Sequence, residues 1–436
     1  MEEHYADSKA PKPLNLQARA TRDDWLDACD GGVTAAQGFK AVGVHAGFRA
    51  DPHRLDMALV VADEPCACAA TFTRNVFCAA PITVSRRHLD DVGYGIARGI
   101  VINSGNANAA TGSVGLETAE RTTEIVGEAL GCPPGEVLVA STGVIGQHLD
   151  VSPFISAMPQ AVADLSCEGG KSAASAIMTT DTVSKEAAVC FAGDDIGYPG
   201  VTFTVGGMAK GSGMIMPNMA TMISVITTDA PILPDVLHKA LVNAVNKSFN
   251  KVTVDSDTST NDCCFLFASG EAAPGALPFA LDSSAYARFE AALDAVCQTL
   301  ARKMAADGEG ATRLVTVTVA GAANEEDADR AARAIANSPL VKTAICGHDA
   351  NWGRIAMAIG KSGAHFAQEN AAIDIMGLPV CRDGLTVLFD EEEALKRFEN
   401  HEIVIDVDLG AGDAQTTVWT CDFTHDYITI NGDYRS

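Results

Sequence analysis

One stretch near the middle of the 436-residue chain limits what the rest can be: Lys210 to Ala230, KGSGMIMPNMATMISVITTDA. It opens with Gly211, Ser212 and Gly213, followed by Pro217 and Asn218, residue types that break regular structure and set turns. From Thr221 onward the run TMISVITT is apolar and β-branched, which predicts a buried strand. Read plainly, this is a loop entering a core strand. A sharper possibility comes from the small pair Ala220–Thr221, placed where loop turns into strand. A chain that cuts itself to expose a nucleophile needs a peptide bond held in a loop, a hydroxyl directly after it and a rigid strand behind. Threonine suits that task at a new N-terminus, where its own α-amine, of pKa ~7.7–8.0, serves as the base. Attack of the Thr221 hydroxyl on the Ala220 carbonyl, an N-to-O acyl shift and ester hydrolysis would then give an α chain, 1–220, and a β chain, 221–436.

A chain of this length exceeds the usual single core, so two domains or one large two-lobed domain are expected. Hydrophobic content of 47% with 20% charged residues is that of a globular protein, and the abundant glycine with few aromatics suits an α/β or α+β fold. The formal net charge of −25 repels phosphate backbones and makes nucleic acid a poor partner. No apolar run reaches membrane-spanning length, and residues 1–30 lack a signal-peptide pattern, so a cytoplasmic protein with no membrane partner is expected. The 13 cysteines include Cys66 and Cys68 one residue apart and the adjacent Cys263 and Cys264. Neither pair has metal-site spacing, so free and mostly buried thiols are expected, and no metal.

Residues 1–30 read as a polar extension with one short amphipathic turn at Trp25 and Leu26. Residues 31–284 read as a main layered domain. Within it, 55–75 alternates as strand, turn, strand, and 82–86, 99–102 and 136–140 are strand candidates. Helices are expected over 117–130, 151–165, 172–178 and 231–249. A strand pair spans 186–205, and two further strands joined by a polar loop span 251–270. Residues 285–365 read as a smaller α/β lobe: helix 285–306, strand 313–320, helix 325–336, strand 341–346 and helix 351–361. The tail, 366–436, offers strands at 402–408, 415–422 and 426–430 that would complete the main domain.

Several loops carry more than turn chemistry. NSGNANAATG, Asn103 to Gly112, either satisfies its own backbone or lines a polar pocket. In STGVIGQ, Ser141 to Gln147, Gly143 is either a structural turn or lets backbone N–H groups face a ligand as an oxyanion site. GKS at 360–362 fails as a phosphate-binding loop, because Ile355 stands where that motif needs glycine. Asp255 and Asp257 look like metal ligands but are assigned to loop hydrogen bonding. His348 reads as a structural or interface residue, and Trp352 as packing under the small lobe.

The ordered set of motifs GGVTA (31–35), NSGNANA (103–109), STGVIG (141–146), TTDT (179–182), KGSGMIMPNMAT (210–221), VDSDTSTND (254–262), HDANWGRI (348–355) and INGDYRS (430–436) resembles the ornithine acetyltransferases, or glutamate N-acetyltransferases, of arginine biosynthesis. The resemblance runs from about Gly31 to Ser436. It implies an α-β-β-α sandwich with a smaller lobe, and cleavage between Ala220 and Thr221. It also implies acetyl transfer from N2-acetyl-L-ornithine to L-glutamate through an acetyl-threonine at Thr221. Thr142 and Gly143 would form the oxyanion hole. Thr179, Lys210, Thr221, Glu309, Asn431 and Ser436 would contact the substrate, Lys210 and Glu309 being the opposite charges that suit its carboxylate and ammonium. The family needs no cofactor, although some members accept acetyl-CoA as a donor, and it assembles as a dimer of α/β pairs. Three features depart from the family pattern: Ser436 where many relatives have threonine, the N-terminal extension, and a short insertion between Thr179 and Lys210 that leaves Thr180 a neighbouring alternative. An aminopeptidase or amidase of the same self-cleaving architecture is the rival enzyme, with water in place of the amine. A binding protein that keeps the fold and never cleaves is the rival outside catalysis.

Overall fold

The computed structural model describes residues 11–14, 16, 25–216 and 222–433. The chain divides into two units, Arg22–Asp307 and, separately, Met1–Thr21 with Gly308–Ser436. The first contains β1 (Leu26–Ala28), β2 (Phe39–Val44), β3 (Met57–Phe72), α1 (Ala80–His88), β4 (Tyr94–Asn106), α2 (Gly112–Leu130), β5 (Val137–Val144), α3 (Ser152–Ala163), α4 (Gly170–Ala176), β6 (Lys185–Ala192), β7 (Thr202–Lys210), β8 (Ile223–Thr228), α5 (Pro234–Lys247), β9 (Cys263–Ala268) and α6 (Ser284–Ala306).

These strands hydrogen-bond in the order β1-β6-β7-β8-β9-β3-β4-β5, with β2 also on β3. If the sheet were flat, five steps of ~4.8 Å would hold β7 and β5 ~24 Å apart. Yet Lys210 Nζ at the end of β7 lies 3.5 Å from Thr142 Oγ1 in β5. The sheet therefore folds over on itself, and β3, whose register with β4 breaks between Val61 and Cys66, is the strand shared by both halves.

Alternation along the strands builds the layers. Ala58 and Val60, Ile100 and Ile102, and Leu138 and Ala140 face inward, onto a core they share with Met208, Val225, Phe265 and Phe267 of the opposite half. Met57, Leu59, Val61, Val101, Val137 and Val139 face outward, onto Val84 of α1, Val126 of α2 and Phe154 of α3. On the other outside, α5 packs on β3 and α6 on β6 and β7. The result is the expected α-β-β-α sandwich.

The second unit contains β10 (Leu314–Ala322), α7 (Glu325–Ala336), α8 (Pro339–Cys346), α9 (Trp352–Gly360), β11 (Ala372–Ile375), β12 (Leu378–Arg382), β13 (Leu385–Thr386), α10 (Glu391–Arg397), β14 (Glu402–Asp408), β15 (Ala414–Cys421) and α11 (His425–Gly432). Its sheet runs β13-β12-β11-β14-β10-β15, with α7 packed on β10 and β15.

Several expectations are corrected. The lobe boundary at 285 falls instead at Asp307, because α6 packs on the first sheet. Likewise, strands of 366–436 do not complete the main domain: β14 and β15 flank β10 in the second unit's own sheet. Residues 82–86 and 341–346 are helical, not extended. Pro81 and Pro339 open those helices in the first turn, where the missing N–H costs nothing, and the Ser338 hydroxyl caps α8. The 426–430 strand is α11, capped by Thr424. Residues 57–72 form one strand without a turn, and 251–270 holds one strand, β9. In the N-terminal extension, Leu26–Ala28 is a strand paired with β6 in place of an amphipathic turn. Leu14 N–H donates to Asp374 Oδ2 at 2.7 Å, and Arg382 holds the Lys12 carbonyl at 2.9 Å.

Asp374 and Asp406 are buried and face each other across β11 and β14. Burial, reinforced by Asp374, pushes the Asp406 carboxyl up to about 6. A carboxyl raised in this way holds its proton in the fold after the unfolded chain has released it, so stability falls as pH rises from ~4 to ~6. Asp406→Asn should remove that slope, worth on the order of 2 kcal/mol, which urea melts at either end of the interval would register.

Candidate active site

The polar cluster of the first unit gathers at the ends of β5 and β7. Gly143 has φ +134°, and a Cβ there would stand 2.3 Å from Gly105 C and 2.6 Å from Asn106 N, so only glycine fits. The parallel β4–β5 ladder loses regular register at this point, with Asn106 opposite both Thr142 and Val144. Buried side chains brace the irregular end. Ser141 Oγ donates to Asn103 Oδ1 at 2.6 Å, and Asn261 Nδ2 donates to the carbonyls of Ser141 (2.8 Å) and Ala107 (2.6 Å). Asn103, Ser104 and Asn108 are thus inward braces more than pocket lining.

Lys210, at the end of β7, is buried. Its ammonium donates to Thr179 Oγ1 at 2.7 Å and Thr142 Oγ1 at 3.5 Å, and lies 3.9 Å from Asp181 Oδ2. Asp181 also accepts from Lys185 Nζ (2.7 Å), Gly211 N–H (2.7 Å) and Thr179 N–H (3.0 Å). Lys185 bonds in turn to Asp307 at 2.5 Å, and Asp307 accepts from the Thr182 hydroxyl. The Asp307 carbonyl takes the Ser212 hydroxyl at 2.7 Å. Burial alone would push the Asp181 carboxyl up, but Lys210 and Lys185 outweigh it and hold it below the usual carboxylate range. The alternating chain Lys210–Asp181–Lys185–Asp307 sets each buried ammonium beside a carboxylate, where an isolated ammonium would be costly.

The three charged members beyond Lys210, namely Asp181, Lys185 and Asp307, are not singled out by the sequence reading. Asp181 lies inside TTDT, and Lys185 opens an otherwise apolar strand. The unusual lysine in KEAAVCFA was the available signal.

Ala220, Thr221 and Ser436 lie outside the described residues. Their described neighbours are well fixed. Ile223, two residues after Thr221 in sequence, pairs with Lys210 on one side and Cys263 on the other. On the N-terminal side, Asp255 accepts from the N–H groups of Met214 (2.6 Å) and Ile215 (2.8 Å), and Thr258 Oγ1 donates to the Met216 carbonyl at 2.8 Å. Asp255 therefore does the loop hydrogen bonding expected of it.

In the second unit Glu309 is buried and accepts from Asn431 Nδ2 at 2.7 Å. The loop carrying Glu309 is fastened by Thr424 Oγ1 to the Gly310 carbonyl (2.7 Å) and by Thr312 Oγ1 to Asp422 Oδ2 (2.6 Å). Thr142, Gly143, Thr179 and Lys210 thus converge in one unit, and Glu309 and Asn431 in the other. His348 lies 3.4 Å from an Arg313 amine and packs near Phe398, a structural position, and Trp352 packs on the second unit's core.

The family model described as ArgJ matches residues 40–436. The chain belongs to the ArgJ family. The protein of Chlorobaculum tepidum named arginine biosynthesis bifunctional protein ArgJ is 46% identical over 411 residues, covering 94% of this chain and 98% of that one. Its namesake from a Synechococcus strain is 44% identical over 419 residues, covering 93% and 98%. A crystal structure of the Bacillus halodurans bifunctional protein argJ is 43% identical, covers 49% of this chain and 100% of that one, and superposes with a TM-score of 0.48. The ArgJ match includes every described residue of the polar cluster, Thr142, Gly143, Thr179, Asp181, Lys185, Lys210 and Asp307, as well as Glu309 and Asn431. All 13 cysteines are free, seven of them buried, and among the described residues no helix is long and apolar enough to cross a membrane.

Proposed function

We propose that this ArgJ-family acyltransferase moves the acetyl group of N2-acetyl-L-ornithine to L-glutamate through an acetyl ester on Thr221, after the chain has cut itself between Ala220 and Thr221. The freed α-amine of Thr221 takes the hydroxyl proton as the oxygen attacks the acetyl carbonyl. The C–N bond of N-acetylornithine breaks, the proton passes to the departing amine, and ornithine leaves. The glutamate amine then attacks the ester, and the Thr221 oxygen recovers its proton. Thr142 and Gly143 are assigned to the oxyanion of both tetrahedral intermediates, where one donor is typically worth ~3–4 kcal/mol.

The observation that carries this proposal is the buried Lys210 ammonium, held by the hydroxyls of Thr179 and Thr142 and faced by Asp181 at 3.9 Å. It is a fixed cation suited to an amino-acid carboxylate. Ile223 beside Lys210 adds support, since two residues of chain reach no more than ~7 Å. The family resemblance assigns Glu309, Asn431 and Ser436 to the same substrate, and we pair Glu309 with its ammonium on charge alone. Acetyl-CoA is a second donor to be tested, no cofactor is invoked, and the assembly proposed is a dimer of α/β pairs.

Transfer is tested with labelled glutamate and unlabelled N-acetylornithine. Labelled N-acetylglutamate is the expected product. Release of free acetate in its place would favour the aminopeptidase or amidase reaction. In the same assay Glu309→Lys should raise the KM for N-acetylornithine at least ~10-fold, the loss of one charge-assisted contact. An unchanged KM would remove Glu309 from the ammonium.

A further inference from the structure

A second polar concavity lies in the first unit, built from residues that the acetyl-transfer chemistry does not use. It is a cleft of about 360 Å³ between the end of β3, the start of β4 and α5. Arg74 and Arg86 line it with Thr71, His238 and Asn246, and Asp91 is its one acid. The chain carries 56 acidic against 31 basic residues, so two arginines without a carboxylate partner are out of keeping with their setting. Neither makes an ion pair with Asp91 or with any other described acid, whereas Arg87, Arg98 and Arg121 of the same unit each meet a glutamate. Arg86 instead lies over the Phe72 ring, 5.3 Å from its centre, which fixes the guanidinium at the cleft wall. Thr71 is 2% exposed, yet its hydroxyl has no hydrogen-bond partner. A buried hydroxyl left unsatisfied costs stability and calls for a partner. His238, its ring tilted against Tyr94 with centres 5.4 Å apart, adds an imidazole whose burial disfavours the charged form until an anion approaches.

We propose that this cleft binds a small anion bearing carboxylate or phosphate groups, with Arg74 and Arg86 as its charge partners and Thr71 and Asn246 as neutral donors. The wall of the cleft gives such a ligand a route to the reactive region. Thr73, next to Arg74, donates through its hydroxyl to the Ser259 carbonyl at 2.8 Å and through its N–H to the Asp262 carbonyl at 2.9 Å. Between those residues Asn261 holds the Ser141 carbonyl, directly before Thr142. The ligand is thus placed to act as an effector on the loop that braces Thr142, without touching substrate.

The test uses the full-length protein and two probes, inorganic phosphate and citrate, each against sodium chloride of matched ionic strength. Either probe should raise Tm saturably, by about 2–4 °C near saturation. The Arg74→Gln variant and the Arg74→Gln/Arg86→Gln double variant should lose the shift while keeping the Tm and basal acetyl transfer of the unliganded protein. Arg74 is exposed, so its single variant reports on binding even if the double variant folds poorly. Stabilisation by phosphate alone or citrate alone assigns the headgroup. No saturable shift beyond the salt control, or the same shift in Arg74→Gln, overturns the proposal.

Discussion

Thr221→Ala protein is expected to purify as one uncut chain of 436 residues, with acetyl transfer reduced by ~10⁴-fold or more, the scale set by loss of a nucleophile. The wild-type protein should instead appear in intact mass spectra as two species, residues 1–220 and 221–436. The two effects share one atom. Without the hydroxyl there is no group to attack the Ala220 carbonyl, so the peptide bond survives. With the peptide bond intact, residue 221 has no free α-amine to act as a base. Thr221→Ser separates the roles: it keeps the hydroxyl and should still cleave, at a lower rate. A full-length but active Thr221→Ala protein would assign both the cut and the chemistry elsewhere. Folding should be little affected, because β8 begins after this position and its buried residues Ile223, Val225 and Ile226 are unchanged.

The largest effect on stability is expected at Lys185. Its side chain is fully buried and its ammonium bonds to Asp181, Asp307 and the Val183 carbonyl. Lys185→Met keeps roughly the volume and removes the charge, leaving Asp181 and Asp307 buried with less compensation. Breaking a buried pair from one side typically costs about 3–5 kcal/mol, which for a unit of this size lowers Tm by roughly 10 °C. The sign of its pH dependence is fixed by Asp181, whose carboxyl is held below its ordinary range in the fold. In the wild type that contribution is present at all pH above ~4 and fades only as acid protonates the native carboxylate. In Lys185→Met the carboxyl rises, so the deficit relative to wild type should be greatest near neutrality and shrink on acidification. Thermal melts of both proteins at pH 5 and 8 measure this. Equal melting curves would mean that Asp181 and Asp307 are satisfied without Lys185.

Much of the sandwich was legible because its strands obey simple alternation. In β3, Ala58 and Val60 go to one core and Leu59 and Val61 to the other. The periodic helices α5, α6 and α7 were equally plain. Misreadings fell where β-branched residues sit in short helices. Ile82, Thr83 and Val84 favour strands by type, but Pro81 and packing on β5 make them helical. The same holds for Ile428, Thr429 and Ile430 behind the Thr424 cap. The boundary at Asp307 was hidden for a different reason: which sheet α6 covers is a tertiary choice that no periodicity encodes.

The reactive region was legible in parts. STGVIGQ marks Gly143 as a turn or a ligand-facing glycine, and only the structure, with φ +134° and a would-be Cβ 2.3 Å from Gly105, shows that no other residue fits. Lys210 is legible through the family motif KGSGMIMPNMAT, whereas the carboxylate that faces it is not. Asp181 and Asp307 are distant in the chain, and both look like ordinary loop acids until Lys185 is found between them.

An acetyl group carried by Thr221 can be weighed directly. The purified protein is mixed with N-acetylornithine in the absence of glutamate, quenched in acid, and its chains are taken to intact mass and peptide mapping. The mass of one acetyl group should appear on the 221–436 chain, map to Thr221, and vanish when glutamate is added. Transfer to glutamate with no acetyl adduct at any time, or with the adduct on another residue, would rule out Thr221 as the acetyl carrier.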